Sequence, residues 1–371
     1  MNSKSETIAI YLPSLRGGGA ERVMVTLANA FAVRGYVVDL VLASATGPYL
    51  TEVSSTVNVV DLGRSRVVTS LPRLVRYLLK RKPTALLSAM GHANLVSLLA
   101  KKISGGNTRV VVSERNDASV EANQNKGLRS LIIRTLNRYL YRSADVIHAV
   151  SQGVAVASAK ELGLPLERIQ VVYNPVVTQR MLEMSRADID LPWLVKDERK
   201  IIIAAGRLTK QKDFATLIRA FALVQSKTNA RLVIMGEGEL RSDLERIVAE
   251  NSLQEVVSLP GFVVNPFAVM KQADLFVLSS AWEGLPNVLI QAMACGTPVV
   301  STDCPSGPAE ILESGKWGRL VPVGDIKAIA KAMLDTLTET EHPDVASRAA
   351  YFSVGRAADE YLRLLLPNLN Q

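Results

Sequence analysis

Cysteine is nearly absent: Cys295 and Cys304 are the two in 371 residues. Two thiols cannot build a disulfide framework, and these lack metal-ligand spacing, so both are expected to be reduced thiols of a cytosolic protein. Long apolar runs are missing too. No stretch of 18 apolar residues occurs, so the sequence predicts no membrane-spanning helix. The opening residues, MNSKSETIAIYLPSL, carry one lysine and a short apolar run that leads straight into a strand pattern. With no h-region and cleavage site, no secretory signal is expected. The G-x-G-x-x-G spacing of a dinucleotide-binding turn is also lacking.

What is present is the composition of an ordinary globular protein, 48% apolar and 21% charged, long enough for two domains with a core each. The net charge of +8 is unevenly spread. Residues 1–190 hold 24 Lys and Arg against 14 Asp and Glu, whereas residues 191–371 hold 19 against 21. The whole excess lies in the first half, which predicts an anionic partner there: a membrane surface, a phosphorylated acceptor or a nucleic acid. Residues 71–82 and 126–142 supply much of it, both with helical periodicity. In the second stretch Leu128, Leu131, Ile132, Leu136, Tyr139 and Leu140 fall on one face and Arg134, Arg138 and Arg142 on another. Such a helix suits anionic lipid headgroups, although most amphipathic helices simply bury their apolar face in a domain core. The basic stretches lack the interleaved aromatics of a nucleic-acid site, so no nucleic-acid partner is expected.

Short apolar runs alternate with helical patterns. Strands are expected at 7–12, 37–43, 57–62, 85–89, 110–113, 146–151 and 170–173, then again from 201. This β-α-β rhythm predicts α/β domains with parallel, doubly wound sheets, whose ligands sit beyond the carboxyl ends of the strands. The expected divisions are a first domain at 1–177, a linker at 178–199, a second domain at 200–352 and a last helix at 353–371. Polar residues just past strand ends are candidates for an acceptor or sugar pocket. They are His92 and Asn94, the run Glu114, Arg115, Asn116 and Asp117, and Ser151 with Gln152. Four charged or amide residues in a row are costly to bury, which singles out the run at 114–117. His148 falls inside a strand and reads as core, and His342 before Pro343 as surface. Asp188-Ile189-Asp190 matches a D-x-D metal motif, but in an irregular connector, so no metal is inferred.

Three loops carry phosphate-binding chemistry. Gly17, Gly18 and Gly19 between the first strand and helix let a backbone approach a ligand without Cβ interference. Arg207 and Lys212 stand five residues apart at a strand-to-helix turn, a bidentate fork and a point charge that can grip a diphosphate from two sides. Glu283 precedes a helix expected from Pro286 to Ala294, whose first amides, at Asn287, Val288 and Leu289, would face an anion. Gln291 lies one turn past Asn287.

Gly18-Gly19-Ala20-Glu21, Gly206-Arg207-x4-Lys212 and Glu283-x7-Gln291, in that order, resemble the motifs of retaining GT-B glycosyltransferases of family 4, the group 1 type. The loop Pro305 to Pro308 resembles one found in bacterial hexosaminyltransferases of lipopolysaccharide and polysaccharide synthesis. The resemblance covers most of the chain and implies a GT-B fold, two Rossmann-like domains facing each other across a cleft, with the last helix crossing back onto the first domain. It implies that Arg207 and Lys212 neutralise the departing diphosphate without a metal, that Glu283 contacts the donor sugar, and that Gly284, Leu285, Asn287 and Val288 hold the diphosphate. Gly18 and Gly19 would face the donor, Gly236 and Phe262 the base, and Gln291 the ribose. His92, Glu114, Arg115 or Asn116 would line the acceptor or sugar pocket, with the assignment between Glu114 and Arg115 left open. The family places Glu where Gln291 stands, and an amide can still bond two vicinal hydroxyls.

The expected activity is transfer of an N-acetylhexosamine or hexose, with retention, from a UDP-sugar to a lipid-linked or lipopolysaccharide-type acceptor. No cofactor is expected, and the location would be the cytoplasm or the inner face of the plasma membrane. The alternative is a catalytically weak or silent nucleotide-sugar-binding homologue.

Overall fold

The computed structural model describes residues 6–115, 128–189, 191, 193, 194 and 198–367, with the backbone alone at 128–134. Asn116, Asp117 and Asp190 lie outside the described residues. The chain divides into two compact units, Met1–Pro175 with Val354–Gln371, and Val176–Ser353.

The first unit holds seven strands: β1 (Thr7–Leu12), β2 (Val37–Leu42), β3 (Asn58–Asp61), β4 (Ala85–Ala89), β5 (Arg109–Glu114), β6 (Val146–Ala149) and β7 (Ile169–Val171). They pair in parallel in the order β3-β2-β1-β4-β5-β6-β7. A strand covered on both faces reads as a continuous apolar run rather than an alternating one. In β1 Ile8, Ile10 and Leu12 meet the helix Gly19–Val33 and the last helix, Val354–Leu365, while Ala9 and Tyr11 point the other way and are equally buried. Tyr361 and Leu365 of that last helix belong to the same core, and Arg109 Nε donates to the Leu364 carbonyl at 2.8 Å.

Two of the basic residues expected to meet an anionic partner are spent on the fold. Arg81, at the end of the helix Leu71–Arg81, donates to Asp39 of β2 at 2.8 Å, and that carboxylate is fully buried. Burial pushes the Asp39 carboxyl up, but bonds from Arg81, Tyr77 and Asn58 outweigh it and hold it below the usual range. Arg73 donates to the Leu62 carbonyl. On the helix Leu128–Tyr141 the expected apolar face is split: Leu140 is buried, Leu136 is 46% and Tyr139 63% exposed, and the side chains of Leu128, Leu131 and Ile132 lie outside the described residues. Tyr141, next to Leu140 and also buried, has its hydroxyl 2.5 Å from Glu114 and 3.2 Å from Asn94.

The second unit holds β8 (Lys200–Ala205), β9 (Ala230–Met235), β10 (Val257–Gly261), β11 (Leu275–Leu278), β12 (Val299–Thr302) and β13 (Arg319–Val321), all parallel, in the order β10-β9-β8-β11-β12-β13. The helices Phe214–Gln225 and Ile326–Thr338 pack together on one face through Leu217, Phe221, Ile329 and Met333. Asp213 and Asp325 cap them, accepting from the amides of Thr216 and Ala328. The stretch expected to be an irregular linker contains a helix, Gln179–Ser185, capped by Thr178 and tied to the unit by Asn265, which donates to the Met184 carbonyl at 2.8 Å. Short helices with a single capping hydroxyl leave little periodicity to read. Among the described residues no helix is long and apolar enough to cross a membrane.

Candidate functional site

In the second sheet the chain winds outward from β8 through β9 to β10, then resumes on the opposite side of β8 with β11. The loops after β8 and β11 therefore rise side by side at the carboxyl end, where doubly wound sheets take their ligands. They bring Lys212 and Glu283 together. Lys212 Nζ lies 2.5 Å from Glu283 Oε1, with side chains 15% and 7% exposed. Ser280 Oγ donates to the same oxygen at 2.6 Å. Ser279 Oγ donates to the Lys212 carbonyl at 2.7 Å, and Thr302 Oγ1, from the end of β12, to the Ser280 carbonyl at 2.6 Å. Gln211 crosses between the loops, its amide donating to the Trp282 carbonyl at 2.9 Å and its own carbonyl accepting from Ala281 N at 2.8 Å.

Glycines make room for this. A Cβ on Gly206 would stand 3.0 Å from Lys212 Cε, so the lysine stem passes over a bare backbone. A Cβ on Gly236, at φ +141°, would stand 2.0 Å from the Gly206 carbonyl oxygen, an impossible approach. Gly236 thus supports the Arg207–Lys212 loop from below. Arg207 itself is exposed, and its guanidinium bonds to none of the described residues. Phe262, just past β10, is 81% exposed.

The helix expected from Pro286 begins at Asn287, with Pro286 as its cap residue. Leu289 N already donates to the Pro286 carbonyl at 3.0 Å, so its amide is not open to a ligand as expected. Asn287, Val288 and Gln291 are partly exposed on this helix, while Gly284 and Leu285 are buried ahead of it. The loop after β12 braces the turn: Glu283 N donates to the Pro305 carbonyl at 3.2 Å, and a Cβ on Gly307 would stand 2.6 Å from Pro286 Cδ. Cys304 in this loop is buried, and burial together with the Glu283 charge pushes its thiol up to about 12. Burial takes Cys295 up to about 11. Neither is a reactive thiolate near neutral pH.

The first unit reverses strand order between β1 and β4. Gly19 is already the first residue of its helix, so only Gly17 and Gly18 remain in the loop, and both donate to the buried Glu21 carboxylate at 2.7 and 2.6 Å. Their amides are therefore occupied by the chain itself. His92 is exposed in the first turn of the helix Gly91–Ser104. Asn94, two residues on, is fully buried, accepting from Ser88 and donating to the Ser113 carbonyl and Glu114, which makes it a structural residue rather than a pocket lining. Glu114 and Arg115 are partly exposed at the end of β5. Arg115 Nη2 donates to Asn174 Oδ1 at 2.6 Å. His148 is the core histidine expected: Nδ1 meets Ser113 Oγ and Nε2 the Val172 carbonyl, each at 2.8 Å, and burial drives the imidazole down to about 3. Among the described residues no three His, Cys, Asp or Glu side chains could share a metal ion.

Sequence reasoning missed Ser279, Ser280 and Thr302. The signal was there, since all three directly follow or end buried apolar strands, where hydroxyls need a polar partner.

The chain is similar to known proteins in sequence and in fold. Residues 17–180 match the model described as Glycosyltransferase Family 4, and residues 186–352 that described as Glycosyl transferases group 1. The chain is 31% identical, over 97% of its length and 100% of the relative's, to the N-acetylgalactosamine-N,N'-diacetylbacillosaminyl-diphospho-undecaprenol 4-alpha-N-acetylgalactosaminyltransferase of Campylobacter jejuni. Its fold matches a glycosyltransferase from Rickettsia africae with a TM-score of 0.80, at 15% identity over 99% of this chain and 100% of that one. It also matches HepE of Anabaena, solved in complex with UDP and glucose, with a TM-score of 0.76, at 19% identity over 97% and 99%. Two Rossmann-like domains with parallel sheets define a GT-B fold. The chain belongs to the group 1, family 4 glycosyltransferases, which makes it an enzyme that moves a sugar from a nucleotide-sugar donor to an acceptor, related to those of bacterial lipopolysaccharide and polysaccharide synthesis.

Proposed function

We propose that this enzyme transfers an N-acetylhexosamine, with retention, from a UDP-linked donor to a lipid-linked glycan. The carrying observation is the buried Lys212–Glu283 pair at the strand reversal of the second sheet. An ammonium has three donors; one meets Glu283, and the others can meet a diphosphate oxygen. Arg207, exposed in the same loop, supplies a second cation, and Asn287 and Val288 the helix start. Glu283 orients the donor sugar and Gln291 the ribose. Phe262 and Gly236 flank the end of the sheet where the base would lie.

In the reaction the bond from the anomeric carbon to the leaving phosphate oxygen breaks, and the acceptor hydroxyl oxygen bonds to that carbon on the same face. Its proton passes to the leaving phosphate. Charge building on the diphosphate is met by Arg207 and Lys212, the largest electrostatic demand of such a step. UDP is favoured by the HepE complex, and the aminosugar and lipid-linked acceptor by the Campylobacter relative. The first unit's charge and its exposed Ile103, Leu136 and Tyr139 support attachment to the inner face of a membrane.

A thermal-shift series with UDP, GDP and ADP tests the donor, because a bound diphosphate raises the melting temperature by mass action. UDP is expected to give the largest shift, and turnover to survive EDTA. A larger shift with GDP, or loss of turnover on chelation, overturns the reading. Flotation with anionic but not neutral vesicles is expected; absence from both removes the membrane proposal.

A further inference from the structure

Glu283 is 94% buried, being 6% exposed, yet its two carboxylate oxygens are treated unequally. Lys212 Nζ and Ser280 Oγ both bond Oε1, at 2.5 and 2.6 Å. No described residue bonds Oε2. Glu283 Oε2 is not among the buried atoms left without a partner, so with Oε1 taken by two bonds it is the carboxylate oxygen that a ligand can reach. We infer that Ser280 is a positioning residue: it and Lys212 fix Oε1 so that Oε2 is the oxygen presented to a donor-sugar hydroxyl. The inference rests on the glycosyl-transfer reading above.

Ser280 is suited to the task because it cannot drift. It is fully buried, its carbonyl accepts from Thr302 Oγ1 at 2.6 Å, and that threonine ends the neighbouring strand. Ser279 beside it accounts for Lys212 by holding the lysine's backbone carbonyl. Adjacent hydroxyls from one strand end thus place the two charged groups, one through its side chain and one through its backbone. A carboxylate held only by Lys212 could rotate about its last bond or follow the ammonium toward the diphosphate. With the hydroxyl in place it keeps its orientation while Lys212 turns to the leaving group.

The experiment compares wild type, Ser280→Ala and Ser280→Thr. Calorimetry reads affinity for UDP, which has no sugar to meet Glu283, and UDP release with UDP-N-acetylglucosamine reads kcat and KM. Ser280→Ala is expected to bind UDP within twofold of wild type and to lose roughly tenfold or more in kcat. Ser280→Thr, which restores the hydroxyl, is expected within threefold of wild type in both. A Ser280→Ala enzyme with unchanged kcat overturns the positioning role alone. A parallel loss of UDP affinity and melting temperature would make the serine merely structural, which also overturns it. A wild-type protein that binds no nucleoside diphosphate overturns the glycosyl-transfer reading and this inference with it.

Discussion

Each sheet reverses its strand order once, between β1 and β4 in the first unit and between β8 and β11 in the second, but the two reversals are furnished differently. In the second unit a lysine and a glutamate meet there, with serines behind them and an exposed arginine alongside. In the first unit the carboxylate at the reversal, Glu21, turns back on its own loop and consumes the amides of Gly17 and Gly18. What remains is shape: an exposed His92 and, before it, Met90 held at φ +82°, a conformation that L side chains rarely adopt. One sheet end is chemically committed before any ligand arrives, and the other is mainly contoured. On the proposed function the end with paired charges takes the donor diphosphate and the other end the acceptor.

The sharpest break of the comparison sets a buried ion pair against one whose carboxylate alone is buried. Lys212→Ala is expected to lower turnover by roughly 100-fold or more and to cost about 3 kcal/mol of stability, because it leaves Glu283 buried and unpaired. Arg81→Ala removes the counter-charge of the fully buried Asp39 in the first unit, which keeps its bonds from Tyr77 and Asn58, and is expected to cost about 2 kcal/mol with UDP affinity unchanged. Urea unfolding with UDP calorimetry reads both; equal losses of UDP affinity would erase the distinction between the units.

A smaller effect concerns pH. Burial holds His148 neutral, with its ionisation lowered from 6.5 to about 3. The unfolded chain then binds a proton that the folded one does not, so this contribution to stability is complete above pH 6.5 and declines as pH falls toward 3, by roughly 1.4 kcal/mol per pH unit. Amide exchange in β5 and β6 is expected to quicken between pH 7 and 5 once corrected for intrinsic rates. Emission from Trp193, Trp282 and Trp317, all in the second unit, provides the reference. Equal acid sensitivity in both units would remove the histidine as cause. Smallest of all is Gln291→Glu, expected to change kcat within about threefold, since an amide already bonds two hydroxyls. A gain of tenfold or more would mark a decayed enzyme instead.

Much of the fold was legible because its signals are local. Continuous apolar runs such as 7–12 and 201–205 mark strands buried on both faces, and their alternation with helical patterns marks parallel sheets. Legibility failed where a distant polar partner outweighed local pattern. Tyr141 is buried on Glu114 beside the expected apolar face, and Thr178 caps a helix in the stretch expected as a linker. The basic excess was legible as a number but not as a surface, because Arg73 and Arg81 are engaged inside the first unit.

The amino-acid order by itself determined the candidates for the chemistry: two cations five apart after a strand, a glutamate before a helix, and glycines where only glycine fits. Tertiary structure alone decided that Lys212 and Glu283, 71 positions apart, share a hydrogen bond, and that Ser280 and Thr302 stand behind them. The physical reason is that such contacts exist only once β11 has paired with β8 rather than with another edge. Hydrophobic period is a property of neighbours in sequence, and strand order is a property of the whole sheet.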